Sequence, residues 1–340
     1  MRTDIGIDFG TDTTRIYMGR GVVLSKPTVI TIDNDTGLPK AYGAEAYQMI
    51  GRTSDRLTSV CPVQNGTIAD FEAAQLLLKE YFTRVSGKKL IRPRTMVAIP
   101  GNITAVKQRS VVDALESAGA RNVCLIEAPL AAAIGLDVDF STPKGVTVVD
   151  IGKGTTDIAV LSMGGLARCE SLPMGGGAFD EEIVRFVRRE YNVAIGVLTA
   201  ERIKKTIGCV KPRDLEVGMT VNGLNLFNGM PQSVEVNTAQ LYEVMMVTAE
   251  EMIRSIQRVF EQTAPEMVAD TAKDGLILTG GGSLTYGMPE LLEERLKLKV
   301  KPVADPLNCV INGIGKALNN SQVLKNGDYR FRSLEDLSIE

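Results

Sequence analysis

The chain has 340 residues, 44% of them hydrophobic and 23% charged, which is enough apolar material for two domains or one bilobed one. Its 38 basic and 41 acidic side chains leave a net charge of −3, so nothing drives it generally toward nucleic acid or an acidic surface. Histidine is absent, which excludes Ser-His-Asp and Cys-His catalysis and nearly all zinc chemistry. Chemistry here rests on carboxylates, hydroxyls, Lys and Arg, backbone amides and a hard metal ion.

The first elements read as strands: DIGIDFG (4–10), TRIYM (14–18) and GVVLSKPTVITI (21–32), β-branched runs punctuated by Gly and Pro. Residues 37–71 are mixed and turn-rich, the composition of a small inserted subdomain. Residues 70–84 carry a helical stripe at Phe71, Ala74, Leu78 and Phe82. TMVAIP (95–100) is a short buried strand, residues 102–120 an amphipathic helix with a Gly stop, NVCLIEAP (122–129) a further strand, and LAAAIGL opens a helix. The second half begins at VTVVDIGKGTTDIAVLS (146–162), two apolar strands around a Gly-Thr-Asp turn. A Gly turn then feeds a helix at 175–192, a short helix follows at 199–208 with Thr199 as its N-cap, and 214–237 reads as short strands and turns. A long helix covers 238–264, a Gly-broken strand 275–288 and a closing helix 305–320; the polar tail reads as loose. No run of about eighteen apolar residues is present and the start has no signal-peptide core, so the expectation is a cytosolic chain. The cysteines at 61, 124, 169, 209 and 309 are odd in number and scattered, which fits structural thiols in a reducing compartment.

Two hairpins share one pattern. Asp8 ends one incoming strand before Gly10, Thr11, Asp12, Thr13, Thr14 and Arg15; Asp150 ends another before Gly152, Lys153, Gly154, Thr155 and Thr156. Such turns bring backbone amides close to an anion, threonines add hydroxyl donors, and Arg15 and Lys153 add charge. Asp8 and Asp150 suit a hydrated magnesium ion held through water. A third glycine turn, Gly280-Gly281-Gly282-Ser283-Leu284, follows a strand and suits close approach to a purine and ribose. Neither the Walker phosphate-loop pattern nor Gly-x-Gly-x-x-Gly occurs, so the expectation is a duplicated α/β architecture gripping a nucleotide between its copies.

At these residues the chain resembles the actin, heat-shock chaperone and sugar kinase superfamily. Within it, IEAPLAAAIG (126–135), DIGKGTTDIAVLSMGG (150–165), GGGAFDEEIVRFVRREYN (175–192), TAERIKKTIG (199–208), LTGGGSL (278–284) and DPLNCVINGIGKAL (305–318) are similar to the MreB family of bacterial actin homologues, in consistent order over roughly residues 4–318. The resemblance implies an actin-like two-lobed α/β fold: duplicated ribonuclease-H-like domains, a nucleotide cleft between them and small inserted subdomains. It implies one lobe core from 1–32, 66–142 and 316–330 with a small subdomain at 33–65, and a second core from 143–178 and 245–315 with a small subdomain at 179–244, leaving 331–340 as a tail.

The same resemblance implies ATP and Mg2+ as cofactors. Phosphate loops fall at Gly10–Arg15 and Gly152–Thr156; Glu201, Arg202 and Lys204 flank adenine and ribose, with Gly281, Gly282, Ser283 and Leu284 on the other side. By their sequence alone Glu201 and Lys204 read first as a solvated pair on a helix face. Glu127 is expected to orient the attacking water, with Thr156 hydrogen-bonding it and Asp157 beside them. The chain departs from the family where Ala128 replaces the second acid of Glu-Glu-Pro and where Lys153 replaces a glycine. The implied output is a filament, paired protofilaments being the family arrangement, with Gln108, Arg109 and Ser110 as a candidate outward lateral face. Leu90 and Ile91, bracketed by Lys88, Lys89, Arg92 and Arg94, are candidates for insertion into the anionic inner membrane surface. Elongasome membrane proteins and wall-synthesis enzymes are implied partners, nucleic acid is not, and the location is cytoplasmic and membrane-peripheral. The function implied is an ATP-binding cytoskeletal protein for rod shape with slow hydrolysis. A sugar-type kinase of the same superfamily and a non-hydrolysing ATP-binding scaffold remain open.

Overall fold

The computed structural model describes residues 4–86 and 93–319. Strands β1 (Ile5–Phe9), β2 (Thr13–Met18) and β3 (Gly21–Pro27) form a meander. β4 (Ile30–Asp33), β5 (Pro39–Tyr42), α1 (Ala44–Met49) and β6 (Leu57–Val60) follow as a small three-stranded sheet with one short helix. β7 (Val63–Gln64) and β8 (Thr67–Ile68) flank an Asn65-Gly66 turn. Then come α2 (Phe71–Ser86), β9 (Arg94–Ile99), α3 (Ala105–Ser117), β10 (Arg121–Glu127) and α4 (Ala128–Gly135).

A second meander, β11 (Val146–Ile151), β12 (Thr156–Ser162) and β13 (Gly165–Leu172), opens the other half. It continues through α5 (Gly176–Tyr191), β14 (Val193–Ala194), α6 (Val197–Ile207), β15 (Gly218–Asn225) and β16 (Pro231–Asn237). The last elements are α7 (Thr238–Glu261), α8 (Pro265–Asp274), β17 (Leu276–Thr279), a 3-10 turn at Gly281–Leu284, α9 (Met288–Leu296), β18 (Val300–Pro302) and α10 (Cys309–Asn319).

The two large sheets have one topology. The first is ordered β3-β2-β1-β9-β10 and the second β13-β12-β11-β17-β18. In each, the first strand runs antiparallel to its hairpin partner and parallel to the later one. β12 is buried along its whole length, which is why it reads as an apolar run rather than an alternating one. Successive residues serve opposite faces: Val149, Ile151, Ile158 and Val160 join the core packed by α5, α6 and α7, whereas Val148 and Leu161 join a core built around α4 and α10. α7 is capped by Asn237, whose side chain accepts from the Gln240 amide while Gln240 reaches back to the Asn237 amide, a capping box of the kind that contributes about 1 kcal/mol.

α4 lies against β11 and β12, α10 lies against β1, β2 and β9, and the two helices pack on each other beneath both sheets. Gly313 makes this close approach possible: a Cβ there would collide with the Ala131 carbonyl. These helices therefore join the halves at the floor between the sheets.

Three local expectations are corrected. α6 begins at Val197 with Gly196 as its N-cap, so Thr199 lies inside the helix. Gln108 faces inward, 3% exposed, its amide nitrogen donating to the Ile103 carbonyl at 2.9 Å; Arg109 is exposed and Ser110 half-buried, so the three do not form one outward face. Phe71 is exposed at the start of α2, while Ala74, Leu78 and Phe82 are buried. All five cysteines are free thiols, and no helix among the described residues is long and apolar enough to cross a membrane. Leu90 and Ile91 lie outside the described residues.

Candidate functional site

The turns of the two meanders meet at one cleft of about 680 Å3, a size typical of ligand sites. Asp8, Gly10, Thr11, Asp12, Thr13 and Arg15 reach it from the first half; Asp150, Gly152, Lys153, Gly154, Thr155 and Asp157 reach it from the second. Strand register decides the charge at each base. Asp8 sits opposite Arg15 across β1 and β2, with 3.4 Å between Oδ2 and Nη1. Asp150 sits opposite Asp157 across β11 and β12, like charge facing like charge. Burial, then Asp157, then Asp8, push the Asp150 carboxyl up to about 8, with Arg15 opposing them. Burial also raises Asp8, against the pull of Arg15.

The second loop is fixed from behind. The first amides of α5 are spent on it, Gly176 donating to the Gly152 carbonyl and Gly177 to the Lys153 carbonyl, each at 2.8 Å. Asp157 is tied as well: its Oδ1 accepts from the Gly101 amide of the first half at 2.9 Å, and its Oδ2 from the Thr155 hydroxyl at 2.9 Å. In the first loop the Thr11 hydroxyl accepts from the Gly66 amide at 3.1 Å, and the Thr13 hydroxyl donates to Asp12 at 3.0 Å.

α6 supplies the next wall. Lys153 Nζ lies 2.9 Å from Asp12 Oδ1 and 3.8 Å from Glu201 Oε1, so a residue of the second loop joins the first loop to α6. Glu201 also accepts from the Tyr47 hydroxyl of α1 and pairs with Lys205 at 2.8 Å. Burial would lift the Glu201 carboxyl, but Lys205, Tyr47 and Lys153 together hold it below the usual range. Lys204 is anchored differently, 2.8 Å from the fully buried Asp180 and donating to the Gly176 carbonyl at 2.6 Å.

Gly280, Gly281, Gly282 and Leu284 close the far end, with Arg213 stacked 4.3 Å above the Tyr286 ring. Gly280 has φ 84°, and a Cβ there would strike Asp150 Oδ1 and the Ile151 carbonyl. Gly280→Ala is expected to lower folding stability by on the order of 3 kcal/mol, through left-handed strain plus crowding. Urea denaturation reads this directly; an unshifted midpoint would remove the claim.

The sequence matches the family described as MreB/Mbl protein over residues 2–326. It is 39% identical to cell shape-determining protein Mbl of Bacillus subtilis (strain 168) over 323 residues, 94% of this chain and 97% of that protein. It is 40% identical to cell shape-determining protein MreB of Escherichia coli (strain K12) over 322 residues, 93% of each. The chain belongs to the MreB/Mbl family. The fold agrees: MreB5 of Spiroplasma citri, in crystal structures bound to ADP and to AMPPNP, superposes with a TM-score of 0.89 at 32% identity, covering 96% of this chain and 98% of that one.

Within this MreB/Mbl chain several residues singled out from the sequence stand back from the cleft. Thr14 is fully buried and its hydroxyl is 2.9 Å from that of Thr28, which in turn donates to the Gly10 carbonyl at 2.7 Å. Thr156 is buried and donates to the Met174 carbonyl at 2.8 Å. Ser283 is buried and donates to the Gly280 carbonyl at 2.6 Å, bracing the turn from within. Arg202 is exposed and does not line the cleft. Glu127 is buried at the end of β10, while its neighbour Ala128, the first residue of α4, is the one on the cleft wall. Sequence reading missed Tyr47, Asp180, Lys205, Arg213 and Tyr286. Lys205 belongs to the quoted ERIKK string and Tyr47 to a helix near the first loop, but Tyr47 and Glu201 are 154 positions apart and no local pattern pairs them.

Proposed function

We propose that this chain is an ATP-binding, actin-like cytoskeletal protein that assembles into filaments and helps to determine cell shape. The observation that carries the reading is the meeting of two matched hairpin turns, with Asp8 and Asp150 at their bases, around one cleft in an MreB/Mbl chain. The glycine-rich loop backbone and the Thr11 hydroxyl suit phosphate oxygens, and the Gly280–Leu284 turn with Arg213 and Tyr286 suits a nucleoside. MreB5, which shares the fold, binds ADP and AMPPNP.

The donor set also fits magnesium that keeps its waters. No group of three or more carboxylates or thiols among the described residues could hold an ion directly, yet Asp8 and Asp150 offer hard oxygens at the bases of the two turns. Bound there, the ion would offset polyphosphate charge; Asp8 and Asp150 would orient its waters. Ala128 on the cleft wall favours a second reading for turnover: an alanine at this position, where the family pattern carries an acid, orients an attacking water poorly, so hydrolysis is slow or absent while binding persists.

Paired protofilaments, attachment to the anionic inner membrane surface through Leu90 and Ile91, and association with elongasome membrane proteins and wall-synthesis enzymes belong to the same proposal. Their support is family membership and the apolar pair flanked by Lys88, Lys89, Arg92 and Arg94. The test is electron microscopy of the purified chain on anionic lipid with ATP and Mg2+. Filaments lying on the lipid are expected; dispersed particles at saturating ATP would overturn the assembly reading.

A further inference from the structure

Two lysines of the cleft differ in how freely they can change partners. Releasing Lys204 would strand Asp180, a carboxylate with no exposed surface, inside the second half. Lys153 is held otherwise. Its backbone is pinned by α5, so its carbonyl and the loop stay in place while the four-carbon side chain can swing. Neither of its carboxylate partners would be stranded by its departure. Asp12 is 44% exposed and keeps the Thr13 hydroxyl; Glu201 keeps Lys205 at 2.8 Å and the Tyr47 hydroxyl. Lys153 lines the cleft together with Gly152, Gly154 and Thr155 of its own loop and Gly10, Thr11 and Asp12 of the other, so a polyphosphate seated between the loops would lie beside it.

We propose that Lys153 is a transferable counterion, held over the cleft by Asp12 and Glu201 and surrendered to the polyphosphate of a nucleoside triphosphate when one binds. This rests on the nucleotide reading above and adds a consequence to it: the contact joining the two loops, Asp12 to Lys153, competes with the ligand. Asp12 is therefore a restraint on affinity, and Lys153 both a fastener between the halves and a contributor to binding. The other charged groups near this ammonium, Glu201 and Asp180, set its resting position rather than its destination.

The experiment compares the parent chain with Lys153→Met, Lys153→Arg and Asp12→Asn, using ATP with Mg2+ as the probe in titration calorimetry. Lys153→Met is expected to weaken ATP binding about tenfold, the loss of one charge-assisted contact. Lys153→Arg should restore most of that, because length and charge are kept, and Asp12→Asn should strengthen binding by about threefold or more. A second measurement needs no ligand: hydrogen exchange at amides 10–13 and 152–155 in nucleotide-stripped protein should quicken in Lys153→Met and in Asp12→Asn alike. Equal ATP affinity in Lys153→Met and the parent would overturn the proposal, as would equal weakening by Met and Arg, or weaker binding in Asp12→Asn. A parent chain that fails to bind ATP at all would instead overturn the nucleotide reading; in that case unchanged exchange in both variants would separately overturn the fastening role.

Discussion

Ala128→Glu is expected to raise phosphate release from ATP by about 100-fold, the lower range for adding a positioned general base. The position is favourable on three counts. Ala128 lines the cleft, whereas Glu127 is buried at the end of β10 and is not among the lining residues. Ala128 is also the first residue of α4, where the helix dipole favours a carboxylate. Finally, the MreB pattern that this chain resembles carries an acid at this position. Single-turnover phosphate release at saturating ATP measures the effect, with Glu127→Ala run beside it to weigh the role first assigned to that residue. If Ala128→Glu binds ATP and releases phosphate no faster than the parent, a missing carboxylate is not what limits turnover.

In buffer free of divalent ions, folding stability is expected to fall as pH rises from about 5 to 8, and Asp150→Asn is expected to remove most of that fall. Asp150 has its carboxyl pKa raised from 3.8 to about 8, by burial first and then by Asp157 and Asp8. Between those values the folded chain holds a proton that the unfolded chain has lost. Each pH unit in that window therefore lowers stability by up to about 1.4 kcal/mol. Below pH 3.8 both states are protonated, and above about 8 both are ionised, so the slope from this group vanishes at each end. Asp8 and Asp157 are shifted in the same direction by burial and add to the slope. Urea midpoints at pH 5, 6.5 and 8 measure it, and stability rising with pH in the parent would contradict the account.

Much of this was legible in the sequence because it is local. The hairpin at 146–162 is written in two apolar runs and a Gly-Thr-Asp turn, and β11 and β12 fall on those runs. The aspartates ending β1 and β11 were visible for the same reason. Pairings across the halves were not: Asp12 and Lys153 are 141 positions apart and meet only because two sheets of the same order face each other. Side-chain hydroxyls misled where the backbone competes for them. Thr14 and Thr156 belong to the phosphate-loop motifs and Ser283 to the glycine turn read as facing the nucleoside, yet each is buried and engaged inside the protein. Gln108 shows the limit of pattern reading on a helix: polar by type, it turns inward because the Ile103 carbonyl accepts its amide.

The repeated strand order sets an aspartate at the base of each turn, but the residue facing it differs. Where the first meander sets Arg15 across from its aspartate, the second sets Asp157. One carboxylate thus sits beside a permanent positive charge, and the other faces a like charge that favours its neutral form. A doubled scaffold has become a two-handed grip with unequal hands, one braced by a fixed opposite charge and the other set against its like.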